Sequence, residues 1–141
     1  MKLIKQSYKI WGRCPTEPKE ALRWIERAGR VCYASEDKLT AGSAEPFVRG
    51  LIERGHMSVL EHQPYYFLVS DIEGDELTTE ALLQITSNSV GVKLHSIDSG
   101  GVVLAMNDRS LRDLRDNIPE NRIVILMWKE AKSRCPHLYQ D

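Results

Sequence analysis

The sequence predicts an α+β fold, with a largely antiparallel sheet flanked by helices. Strand-like segments with alternating apolar residues and helix-like segments with apolar residues three and four positions apart both occur in the 141-residue chain. These segments do not follow one another in the regular strand–helix–strand order that builds a parallel sheet. Two of the strand-like segments are separated only by a short glycine-containing turn, which is typical of an antiparallel hairpin.

The N-terminal half is predicted to contain one strand followed by two helices. Residues 3–10 alternate and predict the strand, and residues 11–15 predict a turn. Thr16 and Ser43 are suitable N-caps for the two helices, and Gly55 is expected to end the second. The stripes expected to be buried are Ala21, Leu22, Ile25, Ala28 and Val31 in the first helix, and Phe47, Val48, Leu51 and Ile52 in the second.

The C-terminal half is predicted to mix strands and helices. β-Branched and aromatic residues mark the strands, and threonine, aspartate and proline mark the expected helix starts. The predicted elements in order are a strand over 65–69, a turn over 72–75, a helix from Thr78 or Thr79 that is broken at 87–89, strands over 90–97 and 102–106 joined by a turn, a short charged helix from Asp108, and a helix from Pro119 that ends before Pro136.

Composition limits the class of protein. Lysine and arginine number 19 and aspartate and glutamate 20, so the net charge is −1, and a protein that binds nucleic acid phosphates is not expected. The hydrophobic fraction of 42% and the charged fraction of 28% are those of a globular protein. This length suits a single domain over 1–141, with little room for a two-substrate site within one subunit.

The sequence also predicts a cytoplasmic protein without a membrane anchor. No apolar run approaches the roughly 20 residues of a membrane helix, and Lys2 and Lys5 interrupt the start too early for a signal peptide. The three cysteines, Cys14, Cys32 and Cys135, are odd in number and widely spaced, which does not suit a disulfide framework. A reducing compartment is therefore expected.

The segment from Gly55 to His62 concentrates the chemically active side chains. It places His56, Ser58, Glu61 and His62 within seven residues, in a predicted loop, where polar clusters are often functional. Zinc is not expected, because the spacing fits neither His-Glu-x-x-His nor its inverted form. A purely structural interpretation is also open: Ser58 and Glu61 would form a capping box, and His56 would satisfy the end of the preceding helix.

Several blocks of the sequence together resemble one enzyme family. Residues 56–62 are similar to the His-x-Ser-x-x-Glu-His motif of the flavin-dependent thymidylate synthases. The similarity extends to residues 28–35, 47–55 and 66–67 and, further on, to 104–112 and 134–139, in the same order. The resemblance therefore covers most strongly the region from 20 to 70.

The resemblance implies an activity and a set of ligands. The family converts dUMP to dTMP with FAD, methylenetetrahydrofolate and NADPH, and it is usually a homotetramer with active sites at subunit interfaces. By resemblance, FAD would be bound by His56, Ser58, Glu61, Asn107 and Arg109. A hydroxyl and an arginine suit phosphate or ribose, and a carboxylate suits ribose hydroxyls or the adenine amine.

The sequence departs from the family where the nucleotide substrate should bind. The family motif Arg-His-Arg-x-x-Ser-x-Asn-Glu-x-Ser-x-Arg-Tyr is missing, and no arginine lies between Arg54 and Arg109. Gln84 matches the glutamine that precedes this motif. Arg112 and Arg115 are the candidates for the substrate phosphate, and solvated positions on a charged helix are the alternative for both.

Three functions remain open from the sequence. The chain is a compact thymidylate synthase, or a relative that binds FAD or another nucleotide without forming dTMP, or a scaffold protein that only assembles with itself or with a full-length relative. Binding of FAD separates the third function from the first two, because a ligand that binds the native state raises its apparent stability.

Overall fold

The computed structural model describes residues 18–70, 76–98 and 101–139. Within these residues the chain forms helices and an antiparallel three-stranded sheet, so the predicted α+β class is confirmed. The predicted strand over 3–10, the turns over 11–15 and 72–75 and the Thr16 cap lie outside the described residues. In chain order the elements are α1 (Pro18–Cys32), α2 (Ala44–Glu53), β1 (Pro64–Val69), α3 (Glu76–Asn88), β2 (Lys93–Ile97), β3 (Gly101–Asn107), α4 (Asp108–Asn117) and α5 (Arg122–Arg134), with short 3-10 helices at Glu36–Lys38, Met57–His62 and Pro136–Leu138.

The sheet places the end of β3 beside the start of β1. β3 is the central strand and pairs antiparallel with both neighbours, and the predicted hairpin of β2 and β3 is confirmed. Pro64 at the start of β1 pairs with Asn107 at the end of β3. The segment Met57–His62, which precedes β1, therefore lies next to α4, which follows β3.

Two helix starts differ from the predictions. α5 begins at Arg122 and not at Pro119, since the Asn121 side chain caps it by accepting from the amides of Ile123 and Val124. α3 begins at Glu76, ahead of Thr78. It also continues through Ser87 and Asn88, which the sequence predicts to break it, and their side chains donate to carbonyls of the preceding turn.

The core lies between the inner face of the sheet and the helices. Ile25 of α1, Leu51 of α2, Leu104 of β3 and Leu111 of α4 are fully buried. Val31, which was expected in the buried stripe of α1, is 51% exposed, because the helix leaves the core in its last turn. None of the helices formed by the described residues is long and apolar enough to cross a membrane.

Candidate functional site

Helices α1 and α2 end in the same type of turn, and both turns lie close to the 56–62 motif. At the end of α2, the amide of Gly55 donates to Ile52 O and that of His56 to Leu51 O, with Gly55 at a φ of 72°. This is a Schellman motif, which favours glycine at its left-handed residue. Gly55 thus ends α2 as predicted, and the turn delivers His56 to the start of the 57–62 helix.

The end of α1 has the same hydrogen bonds but no glycine. The amide of Ala34 donates to Val31 O and that of Ser35 to Arg30 O, with Ala34 at a φ of 46°. A left-handed conformation is unfavourable for an L-residue, because its Cβ crowds the following carbonyl oxygen. The turn places Tyr33 at the helix end, where its hydroxyl lies 2.5 Å from Nδ1 of His56.

The structural interpretation of the motif is wrong for the capping box of Ser58 and Glu61, whereas His56 does satisfy a carbonyl at the end of α2, through its backbone amide. The residues Met57–His62 form a 3-10 helix whose N-cap residue is His56, so Ser58 lies inside the helix and does not cap it. Glu61 turns away from Ser58 and accepts a hydrogen bond from Arg109 at 2.6 Å. The carbonyls at the end of α2 are satisfied by backbone amides, and the His56 ring contacts Tyr33 instead.

The start of α4 supplies the other half of the site. Asn107 caps this helix by accepting from the amide of Ser110 at 2.8 Å. Arg109 follows in the first turn, where its guanidinium contacts Glu61 closely and Asp113 at 3.9 Å. Three residues predicted to bind the cofactor, Glu61, Asn107 and Arg109, are therefore brought together from two distant parts of the sequence.

A cavity of about 440 Å³ lies at this junction. Its size falls within the range of about 300–1,000 Å³ that is usual for small-molecule sites. The lining is polar and contains two carboxylates and one guanidinium among hydroxyl and amide groups. The lining residues are Glu61, Asn88, Ser89, Val90, Gly91, Asn107, Arg109, Ser110, Asp113 and Asn117.

The loop between α3 and β2 forms the wall of the cavity opposite the motif. It approaches α4 closely at Gly91, where a Cβ atom would lie 2.2 Å from Oγ of Ser110. A side chain at position 91 would therefore require the Ser110 side chain or the loop to move. The sequence predicts a helix break over 87–89 and a strand over 90–97, whereas β2 begins only at Lys93, so this wall was not predicted. Gly91 is a signal of close backbone approach.

The other predicted site residues do not line this cavity. His56 and Ser58 lie at the opposite end of the 57–62 helix from Glu61. Gln84 accepts from the Asn121 side chain at 3.0 Å, on the side of α3 that faces α5. Arg115 places its guanidinium 4.1 Å from the ring centre of Trp128. Their roles in ligand binding remain predictions.

Arg112 belongs to a buried polar network that connects α4 to the C-terminal segment. Its Nε donates to Asp108 Oδ2 at 2.7 Å, and its Nη2 donates to Leu138 O at 2.6 Å. The side chain is only 15% exposed, so the solvated position considered for Arg112 is wrong. Asp108 is fully buried and also accepts from the hydroxyls of Tyr65 and Tyr139.

This network was missed at the level of sequence, because its members are far apart and only Arg112 was singled out. Burial, and secondarily the Asp108 carboxylate, raise the pKa of Tyr139 and of Tyr65 well above the ordinary tyrosine range. The same two causes, in the same order, raise the pKa of the Cys135 thiol. The network fixes the start of α4, and with it the adjacent Asn107 and Arg109.

The cavity suits the sugar and phosphate parts of a flavin nucleotide. The Arg109 guanidinium matches a phosphate oxygen, and the Glu61 and Asp113 carboxylates match ribose hydroxyls. Gly91 also lines the cavity, so part of one wall is backbone without a side chain. The residues present therefore fit this part of FAD.

The fold and the site define an α+β protein with a polar, mixed-charge ligand cavity at a helix start. Residues 16–75 match the family described as thymidylate synthase complementing protein. The chain is also 44% identical over 50 residues to the flavin-dependent thymidylate synthase of Mycobacteroides abscessus. Both comparisons support the family resemblance seen in the sequence, over the residues that they match. No solved structure matches the chain significantly.

The similarity is limited in length. The aligned part covers 34% of this chain and 20% of the Mycobacteroides abscessus protein, so the chain spans about a fifth of that relative. The family match contains the 56–62 motif but ends before Asn107 and Arg109. The grouping of these two residues with Glu61 is therefore shown by the structure alone.

Proposed function

We propose that this protein is a flavin-dependent thymidylate synthase relative that binds FAD, or a nucleotide like it, in the cavity between the 57–62 helix and α4. The observation that carries the proposal is the convergence of Glu61, Asn107 and Arg109 on one polar cavity. These are three of the five residues to which the family resemblance assigns FAD contacts.

Each residue would contact a different part of the ligand. Arg109 would donate to a phosphate oxygen, and Glu61 and Asp113 would accept from ribose hydroxyls. Asn107 holds the α4 start in place through its cap, and His56 and Ser58 would contact a ligand that extends along the 57–62 helix. When bound, FAD supplies hydride transfer, for which NADPH is the reductant in the family.

Formation of dTMP from dUMP and methylenetetrahydrofolate is not part of the proposal. Arg112, one of the two arginines considered for the substrate phosphate, is occupied by Asp108 and the Leu138 carbonyl. Arg115 lies against Trp128. Because Arg109 is assigned to the FAD phosphate, a second phosphate dianion, that of dUMP, would be poorly held without a further arginine.

Titration with FAD tests the proposal. We expect quenching of flavin fluorescence and a rise in the melting temperature of the wild-type protein, and a loss of affinity of about tenfold or more in Arg109→Gln. Arg49→Gln is the matched control, since Arg49 also pairs with a carboxylate one helical turn away and is 48% exposed against 43% for Arg109. Absence of any FAD effect would contradict the proposal and favour a scaffold-only protein.

Two further measurements address the family properties. A dTMP assay with FAD-loaded protein, dUMP and both co-substrates tests catalysis, and we expect no product. Mass measurement in solution tests the homo-oligomer, a tetramer in the family. A cytoplasmic location, as expected from the sequence, is part of the proposal.

A further inference from the structure

The contact between Tyr33 and His56 joins the ends of α1 and α2 across 23 residues of sequence. The two rings are nearly parallel, with an angle of 17° between their planes and centres 6.0 Å apart. Each residue is delivered by a Schellman turn, so the backbone hydrogen bonds of two helices fix the positions from which the side chains meet.

The direction of this hydrogen bond follows from the two groups. The neutral imidazole carries one proton, and the nitrogen without it is an acceptor. A phenol is an acidic donor, and its oxygen is a weak acceptor because its lone pair is delocalised into the ring. The favoured arrangement therefore has the Tyr33 hydroxyl donating to Nδ1 of His56, which leaves the proton on Nε2.

We propose that Tyr33 is a positioning residue that holds neutral His56 in the tautomer with its proton on Nε2. His56 then presents a fixed donor at the start of the 57–62 helix, directed away from Tyr33. Such a donor suits an acceptor oxygen, such as a carbonyl or a phosphate oxygen. This consequence for ligand binding rests on the proposed function, whereas the tautomer itself does not.

The backbone at Tyr33 supports a positioning role. Ala34 is a non-glycine residue with positive φ among the described residues, and it directly follows Tyr33. Strained backbone conformations persist only where the surrounding structure fixes them, and they cluster at functional sites. The backbone hydrogen bonds that hold Ala34 at positive φ also place Tyr33 where its side chain contacts His56.

Nitrogen NMR of the unliganded protein tests the tautomer. The chain has four histidines, and comparison with His56→Gln assigns the signals of His56. At about pH 8.5, where an ordinary imidazole is neutral, we expect Nδ1 of His56 to resonate as an unprotonated nitrogen and Nε2 as a protonated one. Tyr33→Phe, which keeps the ring, should shift both signals toward the average of the two tautomers.

Tyr66→Phe is the matched control, because Tyr66 is exposed on β1, and the His56 signals should not change in this variant. A protonated Nδ1 in the wild-type protein, or unchanged His56 signals in Tyr33→Phe, would overturn the proposal. Far-ultraviolet circular dichroism establishes that each variant is folded.

The FAD titration separates this inference from the proposed function. With both correct, Tyr33→Phe should bind FAD about fivefold more weakly, the effect of one neutral hydrogen bond. A fixed tautomer without FAD binding would contradict the proposed function alone. FAD binding with mixed tautomers in the wild-type protein would contradict the role of Tyr33 alone.

Discussion

Arg109 on α4 donates to Glu61 on the 57–62 helix at 2.6 Å, and this ion pair joins the two elements that form the candidate site. Both partners are substantially exposed, at 43% and 49% of their side-chain surface. An ion pair of this kind contributes little to stability, because water screens it and ordering two side chains costs entropy. Its position at the cavity therefore indicates ligand binding more than folding.

The first prediction concerns this pair. Glu61→Gln should change the free energy of unfolding by less than about 1 kcal/mol, measured by urea denaturation. The exposed pair of Arg49 and Glu45 provides the comparison, and Glu45→Gln should have an effect of the same size. A loss of several kcal/mol in Glu61→Gln alone would show that the contact is a structural element and would weaken the case for a binding site.

The second prediction concerns the buried counterpart on the same helix. Asp108→Asn should destabilise the protein by about 3–5 kcal/mol, because Arg112 then loses its ionised partner while remaining largely buried. Asp113→Asn, at an exposed position on α4, should cost less than about 1 kcal/mol. Equal effects of the two substitutions in urea denaturation would contradict the buried network.

The site could be predicted from the sequence only in part. The motif residues and Asn107–Arg109 were identified because each group has a local pattern, and Gly55 has the residue type that its turn requires. The capping box was a wrong interpretation, because the spacing of Ser58 and Glu61 does not reveal that Arg109 competes for the carboxylate. Arg112 and Asp108 lie in a charged helix, for which the sequence predicts exposure to solvent. Their burial depends on Tyr139 and Leu138, more than 20 residues away.

The fold was predictable to a similar degree. Strand pairing followed from the alternation of residues 102–106 and from the adjacent turn, and the structure confirms the hairpin. Helix starts were less predictable, since Asn121 and Pro119 are both acceptable near a helix start and the tertiary contacts of Asn121 decide between them. Val31 has the correct helical spacing for burial, but no element covers the last turn of α1 on that side among the described residues.

The third prediction is a loss of stability at alkaline pH. The unfolded chain releases the protons of Tyr65 and Tyr139 near the ordinary pKa of 10.0, whereas the folded protein retains them because both pKa values are raised. Above pH 10 the native state therefore binds more protons than the unfolded state, and stability falls as pH rises. Each tyrosine contributes a slope of up to about 1.4 kcal/mol per pH unit.

Urea denaturation between about pH 9 and 11.5 measures this slope. Tyr139→Phe should make it shallower, since one of the two groups is removed, whereas Tyr66→Phe, at an exposed site, should leave it unchanged. Cys135 adds a smaller contribution from its ordinary pKa of 9.0 upward, in the same direction. Stability that stays constant across the whole range would be inconsistent with the burial of these hydroxyls.

The fourth prediction is that Ala34→Gly stabilises the protein. Ala34 occupies a left-handed conformation at the end of α1, where glycine has no Cβ to clash with the following carbonyl. The gain should be about 0.5–1 kcal/mol, because the greater freedom of glycine in the unfolded chain offsets part of the relief. Ala28→Gly in the middle of α1 should instead destabilise, by about 1 kcal/mol, and a loss in both variants would contradict the strained turn at Ala34.

The fifth prediction concerns the narrowest contact in the wall of the cavity. Gly91→Ala would place a Cβ 2.2 Å from Oγ of Ser110 and 3.3 Å from its Cβ, so the loop or the serine must move. We expect a cost of about 1–3 kcal/mol, typical of overpacking, and a change in the affinity for any ligand of the cavity. Gly42→Ala is the control, because a Cβ at that position meets no atom within 4 Å.

A double-mutant cycle shows whether the cost arises from this contact. In a Ser110→Ala background the nearest atom is removed, and Gly91→Ala should then be less destabilising by about 1 kcal/mol, since residues in contact show coupling energies of roughly 0.5–3 kcal/mol. Additive effects would mean that the loop and α4 do not approach each other as closely as Gly91 and Ser110 indicate. Additive effects on the free energy of unfolding would also mean that contact with Ser110 does not explain why position 91 is a glycine.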